Sequence, residues 1–200
     1  MRSKPLKRYK VATAQSENTN RRSIIIAGLV AIGVIALGVL LYLSIRGPST
    51  IDGIRRVVGL SEGHDPDVVY EDADQLPPVG GVHDPTWQNC GIYEEVIETK
   101  HVLHSLEHGA VWVTYSLELS ADDVADLQGL VRSKPYVVLS PYPGLRSPVV
   151  LTAWGIQLEV NSVSDSRIGT FIDRYQQGPQ TPELGATCQN GVGSPLGSGS

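Results

Sequence analysis

Hydrophobic and polar positions divide the chain into three regimes. Ile24 to Ile45 (IIIAGLVAIGVIALGVLLYLSI) runs for 22 residues without a charge. At about 1.5 Å per residue, a helix of that length spans about 33 Å, enough to cross a hydrocarbon core. Pro48 to about Gln75 shows little periodicity, and EGHDPDVVYEDAD (62–74) holds six acids in thirteen residues. This reads as a solvated linker. Beyond it, short apolar runs recur between turn signals.

AVWVTY (110–115) is rich in β-branched and aromatic residues and predicts a strand. Ser120 is placed as an N-cap before Asp122 and Asp123, and Val124, Leu127, Leu130 and Val131 follow at helical spacing until Lys134-Pro135. YVVL (136–139) predicts a buried strand. SPYPGLRSP (140–148) predicts a structured loop, because its three prolines oppose a central strand. VVLTAW (149–154) and IQLEV (156–160) predict strands parted at Gly155. Ser164 or Asp165 caps a second helix with Ile168, Phe171, Ile172 and Tyr175 on one face, ended by Gly178-Pro179. PPVGGVHDPTWQNCGIY (77–93) predicts an ordered irregular loop.

This order predicts an α+β fold: a small sheet with two amphipathic helices on one face, preceded by one transmembrane helix. The expected layout is a basic cytoplasmic tail over 1–22, the transmembrane helix over 23–46, an acidic stalk over 47–76, the α+β domain over 77–188 and a Gly/Ser-rich tail without structure over 189–200.

Charge sets the orientation. Residues 1–22 carry seven Lys or Arg against Glu17 alone, whereas nine basic and twenty acidic residues follow from Arg46. The positive-inside rule places the N-terminus in the cytoplasm and the rest outside a plasma membrane, with the bilayer crossed by residues 24–45. A cleaved signal peptide is the alternative, but its apolar core is usually about 7–15 residues long. The acidic outer part offers no electrostatic reason to bind nucleic acid. Cys90 and Cys188 both fall in it, and an oxidising compartment makes a disulfide the default over two buried thiols.

The chemistry concentrates in HVLHSLEHGAVW (101–112), which holds three of the five histidines. At about 100° per residue, His101, His104 and His108 lie on one face of a helix. HSLEH fits H-x-x-E-H, with His104 and His108 as zinc ligands and Glu107 as general base. That chemistry needs a third ligand and a helix continuing through the motif, whereas Gly109 follows at once. A simpler metal site for Zn or Cu joins His83 to His104 and His108, with Glu107 as a weaker candidate. The bland alternative is a buried polar network that locks loops together. No G-x-S-x-G, P-loop or G-x-G-x-x-G is present, so no catalytic residue is assigned.

Pro77-Pro78 through His83, Trp87, Cys90-Gly91, Tyr93, HSLEHGAVWVTY (104–115), SPYPG (140–144), Trp154-Gly155 and Cys188 together resemble domain-of-unknown-function family 3105 of bacteria, especially actinobacteria. The family's loop reads T-S-G-P-H, where this chain has Val79-Gly80-Gly81-Val82-His83 and so lacks the hydroxyls. His64 and His101 lie outside the shared pattern. The resemblance implies a single-pass, membrane-anchored, outward-facing domain and brings no activity with it. The expected function is an accessory or interaction protein of a larger envelope membrane complex, such as a respiratory one, with a membrane-protein partner. A His-based Zn- or Cu-binding protein, or a metal-dependent enzyme, is the alternative.

Overall fold

The computed structural model describes residues 15–45, 50–70 and 75–197, with the side chains of 15–23 and 41–45 left out. Most of the basic tail, the acids Glu71, Asp72 and Asp74 of the expected stalk, and the last three residues lie outside the described residues. The elements run α1 (Gln15–Ile45), β1 (Arg55–Arg56), β2 (Gly91–Ile92), α2 (Thr99–Glu107), β3 (Val111–Tyr115), α3 (Ala121–Val131), β4 (Val137–Pro141), β5 (Val149–Ala153), β6 (Ile156–Val160) and α4 (Arg167–Tyr175). They form two compact units, Met1–Thr50 and Ile51–Ser200.

The first unit contains α1, whose described side chains, 24–40, are all exposed. Among the described residues no helix is long and apolar enough to cross a membrane.

The second unit is an α+β domain around a six-stranded sheet of order β1-β6-β5-β3-β4-β2. The three pairings from β1 to β3 are antiparallel, and β3-β4 and β4-β2 are parallel. Strand alternation divides the buried side chains between two faces. Val111, Val113, Tyr115, Val137 and Leu139 join Leu127 and Val131 of α3 and Ile168, Phe171 and Ile172 of α4 in one core. Trp112 and Val138 point the other way and meet Val102, Leu103 and Leu106 of α2, with Cys90, Tyr93 and Cys188. The two expected amphipathic helices thus share one face, and the histidine-bearing helix covers the other. Ser120 caps α3, its hydroxyl accepting the Asp123 N–H at 3.2 Å.

Three stretches differ from expectation. Residues 51–70 do not stand apart as a stalk: Arg55 and Arg56 pair with Gln157 and Ile156, Ile51 and Ile54 pack on the core, and Val57 donates to the Gly155 carbonyl at 2.8 Å. Its net charge of −2, from four acids against Arg55 and Arg56, does not oppose this, because the segment joins through backbone and through its few apolar residues. Proline 141 belongs to β4 rather than to a loop. Tyr142 donates to Tyr115 in β3, so the missing N–H of Pro141 faces β2, which has already ended at Ile92. The C-terminal tail is also ordered as far as 197: Val192 and Leu196 donate to the carbonyls of Trp87 and Ile92, and the Asn89 amide donates to the Gly193 carbonyl.

Cys90 and Cys188 form the expected disulfide, 98 residues apart in sequence. It joins the Pro/Gly loop to the C-terminal segment, and the Cys90 N–H also donates to the Cys188 carbonyl at 2.8 Å.

Candidate metal centre

Helix α2 is the platform. The loop after His83 runs along it: Asp84 and Gln88 donate to the Lys100 and His101 carbonyls, and the Ser105 hydroxyl donates to the Gln88 carbonyl at 2.7 Å. The last carbonyls of α2 would otherwise be orphaned. Glu183 N–H satisfies Glu107, the Gln177 amide satisfies His108, and Gln177 N–H satisfies Gly109. Gly109 turns the chain with φ of +95°, and a Cβ there would meet Gln177 and Thr181. That turn brings the 177–187 segment over the end of the helix. On the other side, His64 and His83 form a parallel bridge, with Asp65 N–H on the His83 carbonyl and His83 N–H on that of Gly63. Lys100 ties down this segment through the Pro66 carbonyl, and the Tyr70 hydroxyl donates to that of Val82.

These contacts bring four histidines together. Ring centroids of His64, His83 and His104 lie 4.7–4.9 Å apart, and His104 and His108 are 4.6 Å apart. One ligating atom each from His64, His83, His104 and Glu107 falls within 4.8 Å of every other. So does a second set, His104, His108 and Glu183. With metal bonds of about 2 Å, a tetrahedral site has ligand separations of about 3.3 Å. The Glu107 carboxylate already stands 3.0 Å from His83 Nε2 and 3.6 Å from His64 Nε2.

The tautomers follow from the backbone. His83, His104 and His108 place Nδ1 at 2.7, 2.8 and 2.7 Å from the carbonyls of Gly81, Asp84 and Thr187. A carbonyl only accepts, so each Nδ1 carries the proton, and each neutral ring presents a bare Nε2. Carbonyl contacts of this kind are how proteins orient metal-binding imidazoles. His83 Nε2 and Glu107 Oε2 are then two acceptors facing each other, which requires a proton or a cation between them.

Electrostatics agrees with the burial. Burial holds the His104 ring down to about 4, with the neighbouring histidines adding to the effect against the Asp84 carbonyl. Burial raises Glu107, opposed by His83, with Glu183 adding to the rise. The sign for His104 follows directly. Between pH 6.5 and about 4 the unfolded chain binds a proton that the folded domain refuses. Stability is therefore lost as pH falls through that window, by about 3 kcal/mol from this group. Glu107 contributes with the opposite sign. Thermal melts in chelator from pH 7 to 4 should show a falling midpoint, and His104→Asn should flatten it. An equally steep fall in the variant would refute the assignment.

Of the expected residues, His83, His104 and Glu107 converge in one set, with His64 in the place expected for His108. His108 belongs to the second set, beside Glu183. Neither His64 nor Glu183 carried a local signal: one stood in an acidic stretch without periodicity, the other in a Pro/Gly-rich segment. His101 turns aside, its Nδ1 donating to the Thr86 carbonyl at 2.7 Å. Glu183 stands beside His104 and His108, where a protease reading of HSLEH asks for a third ligand. Its general base, however, is turned away: Glu107 is 2% exposed and held against His83 and His64.

A family model described as "Protein of unknown function (DUF3105)" matches residues 64–190. The chain belongs to that family. The DUF3105 span begins at His64 and takes in every residue of both sets, together with the disulfide. No curated protein and no solved structure matches the chain.

Proposed function

We propose that the domain binds one divalent first-row transition-metal ion, Zn(II) or Cu(II), through His64, His83, His104 and Glu107. The observation that carries this reading is the tautomer pattern: Nδ1 of His83 and of His104 is committed to a carbonyl, and the bare Nε2 atoms accompany a buried carboxylate. Without an ion the His83–Glu107 contact at 3.0 Å needs a shared proton; a divalent ion in its place would take both lone pairs together with that of His104. Imidazole and carboxylate suit these ions, and the chain's one Met and two bridged cysteines offer no soft set for Cu(I). Metal analysis of the purified full-length chain, with thermal melts before and after chelation, tests it. One ion per chain and a lower midpoint after chelation are expected. No stoichiometric Zn or Cu, with no shift on adding either, would sink it.

We further propose that Ile24–Ile45 anchors the domain at the outer face of a plasma membrane. The uncharged run, the basic residues before it and the disulfide behind it support this. Fractionation and protease accessibility of the domain in spheroplasts are the check. An accessory role beside a membrane-protein partner is the second reading. It is favoured by Val58, 91% exposed, next to a groove lined by Leu60, Trp154 and Ile156. Recovery as a lone monomer in mild detergent would count against it.

A further inference from the structure

The two ligand sets share His104, and that sharing restricts what both can do at once. His104 commits Nδ1 to the Asp84 carbonyl at 2.8 Å, so it has one bare nitrogen, Nε2. One lone pair binds one ion. The inner set (His64, His83, His104, Glu107) and the outer set (His104, His108, Glu183) are therefore alternative positions for a single ion.

Each set has one ligand at the surface: His64, with a side chain 39% exposed, in the inner set, and Glu183 in the outer. Inner ligands His83 and Glu107 are 0% and 2% exposed, and His104 is 6%. Glu183 has a side chain 54% exposed, with its carboxylate 3.4 Å from the Nε2 of His108. His108 in turn has Nδ1 fixed on the Thr187 carbonyl, so its Nε2 is bare toward Glu183. The outer set thus has a ligand at the surface, a buried imidazole behind it, and then the shared His104.

We infer that His108 and Glu183 form a loading position, through which a divalent ion reaches and leaves the inner site by exchange around His104. The inference rests on the metal reading above. In the transfer, the bond to His104 Nε2 persists. Bonds to Glu183 and His108 break as those to His83, Glu107 and His64 form. No step requires an oxidant or reductant. The ion is held by at least one protein ligand throughout, and the buried carboxylate is reached without the ion first shedding all its ligands. The outer position, with three ligands against four, is the weaker of the two, so the ion rests inside.

A route has a kinetic signature distinct from that of a ligand. Removing a path slows entry and exit by the same factor and leaves the equilibrium alone. Losing a resting ligand weakens Kd, and losing mere electrostatic attraction slows entry only. The experiment is stopped-flow Cu(II) quenching of tryptophan in the full-length chain, with release followed by chelator. Trp87 reports the route, its ring 4.9 Å from His108 and 5.7 Å from His104, while Trp154 lies 5.7 Å from His83 at the inner site. Glu183→Gln is a surface change that spares the fold. His108→Asn keeps a donor for the Thr187 carbonyl while removing the ligand. Each variant is expected to slow loading and release by the same factor, with Kd and a stoichiometry of one unchanged. Unchanged rates in both variants, as for an ion entering past His64, would overturn the inference while leaving the metal site standing. So would two tightly held ions per chain. A wild-type chain that binds no Cu(II) would remove both.

Discussion

His104→Asn is expected to weaken Zn(II) binding by the full-length chain at least about 100-fold, since even the groups that orient metal ligands are worth 10–100-fold. The choice of asparagine matters. Its amide can still donate to the Asp84 carbonyl, so the loop at 83–88 keeps its anchor, while the ligating Nε2 is gone. Glu107→Gln should cause a comparable loss, because it removes the charge that compensates the ion at a side chain only 2% exposed. His101→Ala serves as the control, for its ring faces the Thr86 carbonyl and belongs to neither set. Affinity should also fall as pH drops. A proton between His83 and Glu107 must leave before an ion can bind both, and burial already biases Glu107 toward its protonated form. Competition titration against a chelator of known affinity at pH 6 and pH 8 gives both results. Wild-type affinity in His104→Asn would dispose of the inner site.

How much of this was legible depends on the range of the interaction. β3, β5 and β6 are buried along nearly their whole length and show as short runs of β-branched and apolar residues, while α3 and α4 each bury one face that helical spacing records locally. β1 and β2 are two residues long and bury little of their own. They form because the sheet edges offer N–H and C=O partners, which leaves no pattern in the chain. His83, His104 and Glu107 were visible because a helix brings His104 and Glu107 together and a Pro/Gly loop carrying a histidine is conspicuous. His64 enters through a backbone bridge 19 residues away, and Glu183 through the capping of α2 from 75 residues beyond His108. Both depend on tertiary hydrogen bonds that no spacing encodes. His108, the member of the expected trio that falls in the second set, shares a helical face with His104. Facing the same way is a weaker condition than meeting at a point.

Cys188→Ser is expected to cost about 4–5 kcal/mol of stability in the chain-entropy account of a loop of roughly 100 residues. For a domain of this size that lowers the melting midpoint by roughly 10–20 °C. The loss should not be felt evenly at the two ligand sets. The inner histidines are oriented by the carbonyls of Gly81 and Asp84, on the Pro/Gly loop and close to α2. His108 is oriented by Thr187, the residue before the bridge, and Glu183 sits on the same C-terminal segment. Breaking the bridge frees that segment at one of its main ties to the domain, while Glu183 N–H and the Asn89 contacts remain. Well below the melting midpoint, the variant should therefore keep its equilibrium Zn(II) affinity and lose the fast exchange assigned to His108 and Glu183. Calorimetry gives the first quantity, and stopped-flow with and without reductant gives the second. A midpoint shift of only about 1–2 °C would show that the C-terminal segment is held by its hydrogen bonds alone. Loss of equilibrium affinity with the fold intact would show that the bridge supports the inner site, and that its loop does not stand on α2 as the carbonyl contacts require.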